Sequence, residues 1–258
     1  MIDAALALKI AVPPALVVVM TLTARWFGPT VGALVMGLPW MTGPVLFFLA
    51  RDRGIDYAVA ACTGIALGVV AIAAFALAWG HAARWFSVCV ALPLAVVVMA
   101  ATAMLVQSLS VDLATAALLG TGSLVASWQL LPRPAAPVIA PPPPHLDIPL
   151  RMGATFVLVA VIMLSADRLG PRLSGVLATF PVLLTVIGAF THAATGADGI
   201  LRVLGGIARS LIGFVAFFFA VGTALPRIGL VAAYMAGAAV AFAFTASPIA
   251  FDQWRALK

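Results

Sequence analysis

The chain has 258 residues, 64% of them hydrophobic and 9% charged, with a mean hydropathy of +1.19. A soluble domain of this length does not carry so much apolar surface, whereas a bundle of lipid-facing helices does. The net charge of +6 comes from arginines and lysines scattered singly through short loops, the pattern of membrane-flanking charge rather than of a nucleic-acid surface.

A bilayer core takes about 20 apolar residues per helix, and nine segments meet that length: 5–24, 29–50, 56–79, 85–107, 112–131, 149–166, 171–191, 199–224 and 228–247. The chain begins Met-Ile-Asp, with no basic n-region and no small-residue cleavage site, so the first segment reads as a retained helix rather than a signal peptide. Pro29 opens the second at a favoured first helical position. Asp56 is placed to cap the third and Asp112 the fifth. Gly64 and Gly68 give the third a GxxxG packing face. Between the fifth and sixth lies the Pro-rich stretch 132–147, which favours extended polyproline geometry and reads as a semi-rigid spacer. The tail from residue 248 is amphipathic.

An internal repeat organises these segments. GPTVGALVMGLPWMTGPVLFF, from Gly28, aligns without a gap with GPRLSGVLATFPVLLTVIGAF, from Gly170, at an offset of 142 (170 − 28). Gly-Pro, Pro39/Pro181 and Phe48/Phe190 coincide, and the same offset carries Lys9 to Arg151, Asp56 to Asp198 and Gly64 to Gly206. Duplication accounts for this agreement at the residues with the strongest backbone consequences. Matching helices are five crossings apart, an odd number, so the second copy enters from the opposite side. The expected fold is therefore an all-α membrane protein of about nine helices, a 4+1+4 inverted-topology repeat. Its parts are a first repeat at 1–107, a tethering helix at 108–131, the linker at 132–147, a second repeat at 148–247 and a tail at 248–258. Basic residues fall six to one side and seven to the other, so the positive-inside rule does not orient the chain.

Pro39 and Pro181 each lie ten residues into their helix, about 15 Å or half a bilayer core. Each denies a hydrogen bond to a carbonyl four residues earlier, at Val35 and Leu177. A substrate or ion site lined by Pro39, Trp40, Thr42, Gly43, Pro181 and Thr185 is one reading; packing kinks are the other. Arg202 and Arg209 share a helical stripe with Gly205, Gly206 and Gly213. A deep arginine points to an anionic ligand; the alternative is a side chain that snorkels to the interface or pairs with Asp198 or Asp167. Asp56 and Asp198, the carboxylates matched by the repeat, read as helix caps or as a symmetric pair of gating contacts.

His81, His192 and His145 sit at span ends or in the linker, and Cys62 and Cys89 read as small apolar residues. No metal, nucleophile or phosphate-loop motif is present, so neither an enzyme nor a metal or other cofactor is expected. No carboxylate lies deep in a span, which argues against a conventional proton antiporter. The stretch Gly32–Ala50, with its Leu38-Pro39, Gly43-Pro44 and Phe48-Leu49-Ala50, resembles uncharacterised bacterial integral membrane proteins. It is also similar to the Pro-centred helix of the short GlpM-like membrane proteins. The resemblance covers about twenty residues per half, implies no substrate, and carries over no functional residue.

The function expected is secondary transport of a small anionic or zwitterionic solute, or a lipid-linked phosphate, by alternating access between the repeats. A structural or accessory membrane protein and a channel are the alternatives. The partners expected are the bilayer and that substrate, without nucleic acid and with homodimerisation left open. The compositional bias toward alanine and arginine, with no glutamate, fits a GC-rich bacterium and its inner membrane.

Overall fold

The computed structural model describes residues 4–27, 38–40, 42–135, 146–178 and 180–256, with side chains described outside 4–11, 24, 163–178 and 245–256. Every regular element among them is a helix: α1 Ala4–Phe27, α2 Thr42–Arg53, α3 Ile55–Ala82, α4 Val88–Val106, α5 Leu113–Leu130, α6 Asp147–Ala178, α7 Val182–Ile228 and α8 Leu230–Ala256. Helices α3, α4, α5 and α7 are long and apolar enough to cross a membrane, and Val12–Phe27 and Leu230–Phe244 are shorter apolar stretches. Gly28-Pro29 lies outside the described residues. Gly170-Pro171 falls within α6 and does not open a new helix; the chain breaks instead at Pro181. Gly196, at φ 67° and ψ −159°, divides α7 into arms 182–195 and 197–228.

Two pairs of backbone interruptions lie 142 positions apart. At Pro39, Trp40 N–H donates to the Leu38 carbonyl (2.8 Å) and Gly43 N–H to the Pro39 carbonyl (2.9 Å). At Pro181, Val182 N–H donates to the Phe180 carbonyl and Thr185 N–H to the Pro181 carbonyl, both at 2.9 Å. Pro181, at φ −81° and ψ 71°, has the angles of an inverse γ-turn. Gly54 (φ 93°) stands before α3 as Gly196 does before the second arm of α7, in a left-handed region that only glycine enters freely. Ser87 precedes α4 and Gly229 precedes α8, again 142 positions apart.

Two long helices make the centre. Cys62 of α3 lies against Gly222 of α7, and Gly80 against Leu201 and Leu204, so the two run antiparallel. Helix α5 lies on both: Leu113 covers Gly222, Leu131 covers Gly80, and Gly120 meets Ala66 and Val215. It therefore runs parallel to α3 and antiparallel to α7. Small residues at these crossings let backbones approach, the main source of packing energy where lipid removes the hydrophobic drive. Helix α4 flanks α3, α8 flanks α7, and α1 lies along α6. The last pairing is closed by charge: buried Asp147 accepts from Arg25 (2.6 Å) and Arg151 (2.9 Å).

Two of the three capping expectations need restating. Asp112 caps α5, accepting from Thr115 N–H at 3.2 Å. Asp56 does not cap α3: Gly54 occupies that position without a side-chain bond, and Asp56 sits exposed in the first turn, where it faces the positive end of the helix. Asp198 lies just beyond the Gly196 bend and accepts from Ala135 N–H at 2.9 Å, tying the start of the linker to α7.

Candidate functional site

The two helix breaks differ in their surroundings. At the first, Pro39 is half-buried, Trp40 exposed and Gly43 buried, with Thr42 opening α2. The Gly43 carbonyl accepts from the Tyr234 hydroxyl of α8 at 3.0 Å. Tyr234 packs edge-on against Phe47 and Phe217. An open apolar hollow of about 420 Å³ lies here, lined by Pro39, Gly43, Pro44, Phe47, Phe48, Phe217 and Tyr234. A second, of about 200 Å³, adjoins it between Trp40 and Phe242. The carbonyl of Val35 lies outside the described residues.

At the second break the packing is closed and more polar. Thr185 is 7% exposed, and its hydroxyl has no hydrogen-bond partner among the described residues. One turn on, Gly188 receives the Trp79 ring of α3: a Cβ there would come within 2.6 Å and 2.9 Å of two indole carbons. The Trp79 indole N–H donates to Nδ1 of His192 at 3.2 Å. Trp79 is fully buried and His192 is 5% exposed. Beyond them Arg151 lies over the Phe190 ring, 4.9 Å from its centroid.

Pro39 and Pro181 thus do not line one described cavity. The first packs beside α7 and α8, and the segment after the second packs on α3. Asp56 sits in the first turn of α3 and Asp198 accepts from the Ala135 N–H, and neither lines a described hollow. Arg209 is half-buried; its Nε donates back to the Gly205 carbonyl at 3.3 Å, and the guanidinium lies over Trp128 of α5, 6.0 Å from the centroid. The side chain runs along its own helix toward the Gly196 end. It makes no ion pair with a described carboxylate. Arg202 is exposed about two turns nearer that end.

The sequence reading missed the Trp79–His192 pair. It set His192 at a span end, and nothing local distinguishes a terminal histidine from one covered by a tryptophan 113 residues away. It also missed the burial of Asp147 at the start of α6, where the carboxylate is held between Arg25 and Arg151.

Apolar spanning helices, small-residue crossings and inward-turned polar groups define the class as a helical membrane protein. No family model, curated protein or solved structure matches the chain.

Proposed function

We propose that the chain is a secondary transporter of the bacterial inner membrane, built as a 4+1+4 inverted repeat that moves a small anionic or zwitterionic solute by alternating access. One observation carries the reading. Helices α3 and the second arm of α7 are matched in sequence and antiparallel in space, and their contacts exchange under the repeat offset. Cys62 meets Gly222 while Gly80 meets Leu204, and in each pair the first residue of one is the counterpart of the second residue of the other. Antiparallel packing of sequence-matched helices is what an axis in the membrane plane requires, and α5, crossing both helices, would then be the unpaired tether. The matched breaks at Pro39 and Pro181 support the same architecture, since discontinuous helices are where such carriers form their sites.

The exchange is centred midway between Cys62 and Gly80 on α3, at Ala71, and correspondingly at Gly213 on α7. Arg209 stands four residues from that centre, about 6 Å along the helix. It has no counterpart cation, because Leu67 occupies the matched position. An arginine at such depth serves an anionic group when its surroundings open. The test is uptake by purified protein in liposomes, against labelled inorganic phosphate, carboxylates and amino acids. Saturable uptake and counter-flow are expected, and Arg209→Ala abolishes both while its melting temperature stays that of the parent. Flux without saturation identifies a channel, no flux an accessory role, and normal uptake by the variant removes the role of Arg209.

A further inference from the structure

We propose that transport is coupled to protons and that His192 is the group that binds them. The inference rests on the transport reading above and names its coupling ion. It begins with hydrogen-bond chemistry. An indole N–H only donates, so the Nδ1 it reaches at 3.2 Å carries a lone pair, and the neutral ring bears its hydrogen on Nε2. Uptake of a proton from water puts a second N–H on the ring, at Nδ1, the atom facing the indole. The one bond of the pair is then replaced by two opposed donors, and the imidazolium charge lies in a nearly dry contact.

The indole cannot turn to accommodate this. Trp79 is packed edge-to-face on Phe75, with centroids 5.3 Å apart, and its outer ring edge fills the space over Gly188. Relief comes from separating the first arm of α7 from α3. That movement has two hinges of the right kind at hand, the Pro181 break before the arm and Gly196 after it. The contact also joins the two halves of the repeat, and it is unique to one side: the counterparts of Trp79 and His192 are Val221 and Ala50, both buried and apolar. Protonation therefore loosens one inter-repeat contact and leaves its mate untouched, which biases the alternation in one direction. Exposed Ala193, Ala194 and Gly196 give water a short approach.

The charged groups around the pair come from each neighbouring element. Arg151 of α6, held by Asp147 and shared with Arg25 of α1, reaches the ring of Phe190. Asp198 and Arg202 follow on α7, and His81 on α3 bonds the Leu77 carbonyl. Helix α4 contributes only Cys89, and α5 no titratable side chain.

A protonated imidazole beside an indole quenches its emission, so purified full-length protein is titrated by tryptophan fluorescence between pH 8 and about pH 5, the range of histidine. The parent should lose emission with a single midpoint. The loss should vanish in Trp79→Phe and in His192→Gln, whose amide oxygen still accepts from the indole and preserves the fold. Amide exchange across 182–195 should rise with acid in the parent and not in His192→Gln. A titration identical in parent and His192→Gln, or an arm whose exchange ignores pH, overturns the proposal and leaves the transport reading standing. A His192-dependent quench in a protein that moves none of the labelled anions or zwitterions refutes the transport reading, and coupling with it.

Discussion

Gly120 offers the sharpest test of the central packing. It lies where α5 crosses α3, and a Cβ built on it would stand 2.8 Å from the carbonyl oxygen of Ala66 and 3.5 Å from Val215. The Ala66 oxygen belongs to a helix backbone and cannot swing aside as a side-chain tip can. Gly120→Ala should therefore push α5 off α3, an overpacking cost of about 1–3 kcal/mol. Alanine also favours the helix over glycine by about 1 kcal/mol, so the net loss is roughly 0–2 kcal/mol. Gly122, two residues on, has nothing within 4 Å of its Cβ position. Gly122→Ala should gain the helix preference with no clash. The two variants should then differ by about 1–3 kcal/mol, which for a chain of this size is roughly 2–12 °C in melting temperature. Thermal unfolding in one detergent measures both. Equal melting temperatures would refute the crossing of α5 on α3.

Asp147→Asn leaves Arg25 and Arg151 without their carboxylate. Breaking a buried pair costs about 3–5 kcal/mol, and one-third exposure of Arg25 holds the loss to the lower end; Arg25→Ala in the same background should restore part of it, read by thermal melting. The Thr115 hydrogen bonds hold the Asp112 carboxyl below its ordinary value. Its contribution is therefore complete above the unfolded pKa and is lost as pH falls through the lower folded one. The melting difference between parent and Asp112→Ala should be present at neutral pH and shrink below about pH 4, near the model-peptide carboxylate value. Reporters at residues 52 and 195 should label opposite faces of the membrane; the same face for both would remove the inverted topology.

The amino-acid sequence was enough to establish helical membrane character, because transfer into lipid depends on composition and segment length alone. It was also enough to locate the interruptions at Pro39 and Pro181, because proline acts on its own peptide unit; the bends at Gly54 and Gly196 emerged only from the backbone angles. Asp112 was legible as a cap for the same local reason. The sequence did not predict that Gly170-Pro171 would lie within α6, since one proline removes one hydrogen bond and a long helix can continue past it.

What surrounds those interruptions was decided only in three dimensions. Helices apolar on every face carry no stripe to mark the side that meets protein, so the sequence could not bring Trp79 to His192, Tyr234 to the Gly43 carbonyl, or Arg25 to Asp147. Each of those contacts spans more than 100 residues. The first arises where small residues at Gly80, Gly120 and Gly222 set which faces of α3, α5 and α7 come together; the others depend on how α8 meets α2 and α1 meets α6. The proline breaks are local and legible in the chain; the polar pairs that surround them are consequences of packing.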